Sequence, residues 1–236
     1  MPPAVKCWAA IPAAGIGTRF GADRPKQYLP LRGRTLLEHA LRPFLDHPGI
    51  AAVVVALAPG DRWWATLPAA LRGRVQVTAG GVERPHSVLG CLRHLLRTGG
   101  PEDWVLVHDA ARPCLRRTDL DVLIAQAGAH PVGGILAVPV RDTLKRAGAG
   151  AEIAATVDRS QLWHALTPQM FRLGALEAAL TAAVAAGRTV TDESQAMEMV
   201  GARGMLVRGH VDNIKVTQVD DLAMAELLLA RAEEGA

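Results

Sequence analysis

Ala51 to Leu57 is an unbroken, Val-rich apolar run closed by Pro59-Gly60-Asp61, one of several such runs that alternate along the chain with helical stripes. Cys7 to Ile11 ends in Pro12 and a glycine-containing loop, and Trp104 to Val107 ends in His108-Asp109. Strands this continuously apolar must be covered on both faces, the condition of a parallel sheet. Between them, Leu36, Leu37, Ala40, Leu41 and Phe44 form one helical stripe, and Val88, Cys91, Leu92, Leu95 and Leu96 form another. Further helices are expected at 63–71, 120–127, 174–186, 193–200 and from Gln218 onward, with strands at 75–78, 134–140 and 205–208. The alternation gives an α/β fold: a mostly parallel, Rossmann-like sheet with helices on both faces. Ligands of such sheets sit beyond the carboxyl ends of the strands.

The stretch 140–168 breaks this rhythm. Two polar, β-prone pieces, 142–146 and 153–158, flank a Gly-Ala run at 148–151, so it reads as a protruding β-hairpin arm that reaches toward a second subunit. No Ser/Pro-rich linker or charge block divides the remainder, and 1–236 reads as a single domain.

With 236 residues, half of them hydrophobic, the chain can bury a core without disulfide or metal staples. Cys7, Cys91 and Cys114 are odd in number and far apart, with no CxxC and no HExxH. That argues against a disulfide framework or zinc centre and suits a reducing cytoplasm. No segment approaches the ~20 apolar residues that span a bilayer. Lys6 to Ala14 faintly resembles a signal peptide, but Pro12 interrupts the run, which flows into a loop the fold needs. A net charge of +3 is too small for a nucleic-acid surface. Neither nucleic acid nor membrane is therefore expected as a partner. Only Lys6, Lys26, Lys145 and Lys215 are lysines, and Lys26 and Lys215 fall within the motifs below.

The first motif is Pro12-Ala13-Ala14-Gly15-Ile16-Gly17-Thr18-Arg19-Phe20, followed by Pro25-Lys26-Gln27-Tyr28-Leu29. Small residues after a first strand let backbone N–H groups approach a phosphate chain. Arg19 and Lys26 then offer fixed positive charge to an anion. A dinucleotide fingerprint fails because its third glycine would fall at Phe20, which speaks against a nicotinamide dehydrogenase, and no GK[ST] of a Walker A loop follows. Asp109 ends a buried strand, where an ionised acid needs partners; a salt bridge with Arg112 is one such arrangement.

These segments, together with His108-Asp109-Ala110-Ala111-Arg112-Pro113, Thr156-Val157-Asp158-Arg159, Leu162 to Gln169, Thr191-Asp192-Glu193 and Asp212 to Thr217, resemble the methylerythritol phosphate cytidylyltransferases. The resemblance runs in order from about Ala10 to Leu228. It implies attack by the phosphate of 2-C-methyl-D-erythritol 4-phosphate on the α-phosphorus of CTP. The products would be 4-diphosphocytidyl-2-C-methyl-D-erythritol and pyrophosphate, in non-mevalonate isoprenoid precursor synthesis. By the same resemblance Arg19 and Lys26 stabilise the transition state, and Arg159 and Lys215 position the acceptor phosphate. CTP contacts are expected from Pro12, Ala13, Ala14, Gly15, Gly17, Arg19, Lys26, Gly81, Val82, Ser87, Ala110 and Lys215. Acceptor contacts are expected from Asp109, Arg112, Thr143, Arg159, Thr167, Thr191 and Lys215. Mg²⁺ would be held mainly by the CTP phosphates, and no protein ligand is assigned to it.

Gly80 to Ser87 resembles the loop that reads the cytosine, with one departure: Val82 stands where relatives often carry an acid. A carboxylate cannot donate to the O2 and N3 acceptors of cytosine, so reading through backbone groups at Gly81 and Val82 plus the Ser87 hydroxyl is expected. The arm implies a homodimer in which Thr143 and Arg159 complete the neighbouring site. Two rivals are weighed: a ribitol-5-phosphate cytidylyltransferase of the same family, and a non-catalytic nucleotide-binding subunit. The strings around Trp163 and Asn213-Ile214-Lys215 speak against the first, and the retained charged groups against the second.

Overall fold

The computed structural model describes residues 6–15 and 24–234. In chain order the strands are β1 (Cys7–Pro12), β2 (Pro30–Leu31), β3 (Arg34–Thr35), β4 (Ile50–Leu57), β5 (Val75–Ala79) and β6 (Trp104–Val107). They continue with β7 (Gly133–Pro139), β8 (Leu144–Ala147), β9 (Ile153–Val157), β10 (Trp163–Arg172) and β11 (Met205–Arg208). The helices are α1 (Leu36–Leu45), α2 (Ala69–Arg72), α3 (Arg84–Leu95), α4 (Arg117–Gly128), α5 (Leu173–Ala185), α6 (Glu193–Met199) and α7 (Val219–Glu234).

The main sheet has the order β11-β7-β10-β6-β1-β4-β5. All its strands run parallel except β10, which is antiparallel to both neighbours. The two-residue period of a strand divides the apolar runs between two cores. Ala9, Ile11, Val53, Val55 and Leu106 face Leu37, Leu41 and Phe44 of α1 and Leu120 and Leu123 of α4. Trp8, Ala10, Val54, Val105 and Val107 face Val88, Leu92 and Leu95 of α3 and Leu176 and Leu180 of α5. Burying each large apolar side chain in these layers contributes about 1.5–3 kcal/mol. At the start of α1, the Thr35 hydroxyl accepts from the Glu38 N–H at 3.2 Å while the Glu38 carboxylate accepts from the Thr35 N–H at 2.7 Å. This reciprocal cap fixes where the helix begins.

Two segments depart from the pattern expected of the sequence. Residues 63–71 do not form one helix: a 3₁₀ turn at Trp64–Thr66 and the short α2 are separated by Pro68. Proline has no N–H to donate within a helix and fits best at its start, where Pro68 stands as the cap of α2. The second is the arm, whose hairpin is β8 with β9. The chain from Trp163 rejoins the main sheet as β10, pairing with both β6 and β7. Its register against β7 shifts between Ala165 and Gln169, around Pro168, which cannot donate to the ladder. That interruption, with Thr167 and Gln169 beside it, hides the strand from a reading by hydrophobic pattern.

Helix α7 packs on a small cluster of its own, where Leu31, Leu36, Cys114, Val216 and Ala225 are buried. The packing brings the segment before α7 against the loop after β1.

Candidate active site

The carboxyl ends of β1, β5 and β6 open into one cleft, lined by Pro12 to Gly15, Lys26, Gln27, Gly81 to Arg84, Ser87, Asp109 to Ala111 and Lys215. One wall is the small-residue loop after β1, where the Ala13 N–H extends the ladder to Ala56 O at 2.9 Å. The opposite wall comes so close that a Cβ on Gly80 would lie 2.3 Å from the Ala14 Cβ. Only glycine permits that approach. Next to it, the Gly81 N–H donates to Ser87 Oγ at 3.1 Å. The hydroxyl accepts this bond while its own proton is donated to Glu83 O over a long 3.4 Å. Val82 is fully exposed at the rim of the cleft.

Pro25-Lys26-Gln27 forms a tight turn on the cleft floor. Gln27 is buried and donates through Nε2 to Ala13 O at 2.7 Å, tying this turn to the loop after β1. Lys26 Nζ donates to Val216 O at 3.2 Å. Two lysines distant in sequence, Lys26 and Lys215, thereby border the same space.

Asp109, just beyond β6, is the hub. Its carboxylate lies 3.0 Å from Arg84 Nε, 2.8 Å from Lys215 Nζ and 3.7 Å from Arg112 Nε. Burial alone would raise its pKa. The charges of Arg84, Lys215 and Arg112 outweigh burial and hold the carboxyl well below the usual carboxylate range. Arg84 also makes a bidentate pair with Glu193, at 2.6 and 3.0 Å. Glu193 is 1% exposed and opens α6, whose cap is Asp192 accepting from the Gln195 N–H at 2.9 Å. Among the described residues, Lys26, Arg84, Arg112 and Lys215 thus set positive charge against the buried carboxylates Asp109 and Glu193, with Glu83 exposed at the rim. The surplus suits an anionic ligand.

Behind the hub lies a buried network. His108 Nε2 is 3.1 Å from Arg112 O, a group that can only accept, so Nε2 carries the proton. Burial pushes the His108 pKa down to about 4, so the ring is neutral and Nδ1 is an acceptor. The Thr167 hydroxyl, 2.9 Å away, therefore donates to Nδ1 while accepting the Asp109 N–H at 3.1 Å. Asn213 Nδ2 donates to Thr167 O at 2.7 Å, and Arg112 Nη1 donates to Asn213 O at 2.7 Å. With its proton committed inward, Thr167 retains one lone pair.

Of the residues singled out from the sequence, Pro12, Ala13, Ala14, Gly15, Lys26, Gly81, Val82, Ser87, Asp109, Ala110 and Lys215 line this cleft together. Arg112 borders a neighbouring depression that shares Lys215 and includes Arg141, His164 and Asn213. Thr167 is buried beneath Asp109. Thr191 is exposed, two residues before Glu193. Thr143 and Arg159 are exposed at the open base of the hairpin, one before β8 and one after β9, and line neither the cleft nor the depression. Gly17 and Arg19 lie outside the described residues. Gln27, Arg84, Glu193 and Asn213 stood within motifs of the sequence but were given no role there, because nothing local marks a buried ion pair or a buried hydrogen-bond network. Among the described residues no group of three or more His, Cys, Asp or Glu side chains is placed to hold a metal ion.

The family described as 2-C-methyl-D-erythritol 4-phosphate cytidylyltransferase matches residues 7–231. A relative of that name from Pseudomonas savastanoi pv. phaseolicola is 56% identical over 216 residues, covering 91% of this chain and 92% of its own. One from Ectopseudomonas mendocina is 56% identical over 219 residues, 92% of this chain and 93% of its own. Among solved structures, a 4-diphosphocytidyl-2C-methyl-D-erythritol synthase superposes with a TM-score of 0.83 at 43% identity, over 95% of this chain and 98% of that one. The Francisella tularensis 2-C-methyl-D-erythritol 4-phosphate cytidylyltransferase gives 0.80 at 36% identity, over 94% and 99%. With the match running from β1 into α7, the chain belongs to the 2-C-methyl-D-erythritol 4-phosphate cytidylyltransferase family and is a nucleotidyltransferase.

Proposed function

We propose that the cleft joins CTP to 2-C-methyl-D-erythritol 4-phosphate, giving 4-diphosphocytidyl-2-C-methyl-D-erythritol and pyrophosphate. An acceptor phosphate oxygen attacks the α-phosphorus; the new P–O bond forms as the bond to the β-phosphate breaks, and pyrophosphate leaves with that electron pair. Two anions must meet, so the chemistry asks for positioned cations more than for proton transfer. The observation that carries the reading is the convergence of Lys26 and Lys215 on one cleft beside a backbone-lined wall. Lys26, joined by Arg19, would bear on the triphosphate. Lys215 would bridge the triphosphate and the acceptor, since it faces both the cleft and the depression beside Arg112.

The cytosine would be read by the Gly81 carbonyl, the Val82 N–H and the Ser87 hydroxyl, a set that can both donate and accept. Asp109 and Arg112 would face the acceptor hydroxyls, Thr191 would add an exposed hydroxyl, and Thr167 could accept through its remaining lone pair. The residues present fit a Mg²⁺ ion that is held by triphosphate oxygens and water. Among the described residues Asp109 is the one buried carboxylate lining the cleft, and it is already flanked by cations. Such an ion would neutralise charge on the phosphates as pyrophosphate departs. We further place the enzyme in the cytoplasm as a single-domain homodimer. In it the hairpin of one copy would bring Thr143 and Arg159 to the cleft of the other, a use supported by their exposure away from their own cleft. No helix among the described residues is long and apolar enough to cross a membrane.

Pyrophosphate release from CTP and Mg²⁺, measured with 2-C-methyl-D-erythritol 4-phosphate, with ribitol 5-phosphate and without acceptor, tests the reading. Release that depends on the first acceptor is expected. Release that prefers ribitol phosphate would move the enzyme to the sibling reaction, and none with either would overturn the assignment.

A further inference from the structure

Arg84 ties the wall that carries Gly81 and Ser87 to two buried acids, Asp109 and Glu193. Its backbone belongs to the segment that carries Gly81 and Ser87, in the first turn of α3. Its guanidinium leaves that wall and divides itself between two acids. Nε goes to Asp109 Oδ1 at 3.0 Å; Nη1 and Nη2 go to Glu193 at 2.6 and 3.0 Å. Glu193 in turn begins α6, two residues after Thr191, and Gln169 of β10 pins the same turn by donating to Asp192 Oδ2 at 3.0 Å and accepting the Ser194 N–H at 2.8 Å. The carboxylate of Glu193 is 1% exposed, and among the described residues its hydrogen bonds both come from Arg84. A buried carboxylate that lost this partner would be left uncompensated, so the pair is obligatory in this packing.

On the function proposed above, we infer that Arg84 is a positioning residue that couples the nucleotide wall to the acceptor side. It fixes Asp109, and through Asp109 the direction of Lys215, while holding the Thr191–Glu193 turn in place. A planar guanidinium with three directed N–H contacts can hold both acids at once; a Lys at this place would be a single point charge. Arg84 therefore acts on the acceptor through other residues rather than by touching it.

The experiment compares wild type with Arg84→Met, Arg84→Lys, Glu193→Gln and the double variant Arg84→Met/Glu193→Gln. It reads CTP affinity by calorimetry, acceptor KM and kcat from pyrophosphate release, and the pH profile. Arg84→Met is expected to raise the acceptor KM at least tenfold and lower kcat, with CTP affinity changed less than threefold. Arg84→Lys should recover part of the loss. Glu193→Gln keeps shape and an acceptor oxygen, and should show a milder form of the same split even if Arg84→Met folds poorly. The double variant should be no worse than Arg84→Met, because the two residues act as one unit.

The acid limb supplies a readout that loss of packing would not move. The charged groups around Asp109 are Arg84, Lys215 and Arg112, with neutral His108 behind and Glu193 beyond Arg84. Removing Arg84 takes one cation from beside the carboxylate, so the limb should shift to higher pH. Equal loss of CTP affinity and acceptor use, or additive single variants with an unmoved pH profile, would overturn the inference. A wild type that fails to release pyrophosphate would instead overturn the function on which it rests.

Discussion

Lys26 Nζ donates to the carbonyl oxygen of Val216 at 3.2 Å, joining the turn beside β1 to a segment 190 residues further along the chain. The contact holds the ammonium at the cleft floor, close to where Lys215 enters. Lys26→Ala should lower kcat by at least a thousandfold, about 4 kcal/mol of transition-state stabilisation. Its melting temperature should fall by only a few degrees, because Lys26 lines the cleft rather than the core and a hydrogen bond such as that to Val216 contributes about 1 kcal/mol. Steady-state turnover beside thermal melts checks both, and near-normal turnover would refute the role given to Lys26.

Val82 and Ser87 separate two ways of reading the base. With the Val82 side chain in solvent and the Ser87 hydroxyl in the cleft, Val82→Asp should leave kcat/KM for CTP within about twofold, the effect expected of an exposed substitution. Ser87→Ala removes a donor and strands the Gly81 N–H; it should cost about tenfold or more. Competition between CTP and UTP would reveal any change of preference. A large gain in CTP selectivity from Val82→Asp would show that this position does need an acid.

How much of this was legible in the chain follows from what kind of interaction each feature uses. The covered strands announce themselves because burial on both faces demands an unbroken apolar run, as in Val53 to Leu57 and Trp104 to Val107. The small-residue loop and the scarce lysines are likewise local signals. Arg84 and Glu193 are not: their meaning lies in a contact across 109 positions, and either residue alone resembles a surface charge. β10 was obscured because its buried Thr167 and Gln169 are satisfied by His108, Asp109, Asp192 and Ser194, partners no sequence window contains.

The hairpin offers a test by complementation. Arg159→Ala and Lys26→Ala would each leave a homodimer inactive. Mixed subunits should regain up to about a quarter of wild-type turnover, because one of the two sites in each heterodimer is intact and, by random pairing, about half the dimers are mixed. Subunit mixing after partial denaturation, with heterodimers verified by differential tags, measures this. Verified heterodimers without activity would exclude a shared site.

His108 makes stability depend on pH in a window that can be calculated. Its ordinary value of 6.5 is lowered to about 4 by burial in the folded protein, so between these values the unfolded chain binds the extra proton. The stabilisation is complete above pH 6.5 and is lost as pH falls toward 4, by about 3 kcal/mol in all. Asp109, held below the usual carboxylate range, adds a further loss only at more acidic pH. Urea unfolding between pH 7 and 4 should show this slope, and His108→Asn should flatten it while lowering stability at pH 7. An unchanged slope would mean the ring is not the group that titrates.

The reversed strand also governs how this protein must be made. β6 is buried along its length, and its partner on one side is β10, which does not exist until residue 172 has been synthesised. Until then the nascent chain carries an open, wholly apolar edge at the centre of the future sheet, and such edges invite pairing with other chains. Most of the described residues that line the nucleotide cleft, from Pro12 to Ala111, precede β10 in sequence, whereas Lys215 follows it. Translation pauses or chaperone shortage before β10 is made would show as aggregation of newly made enzyme, while the finished fold remained sound.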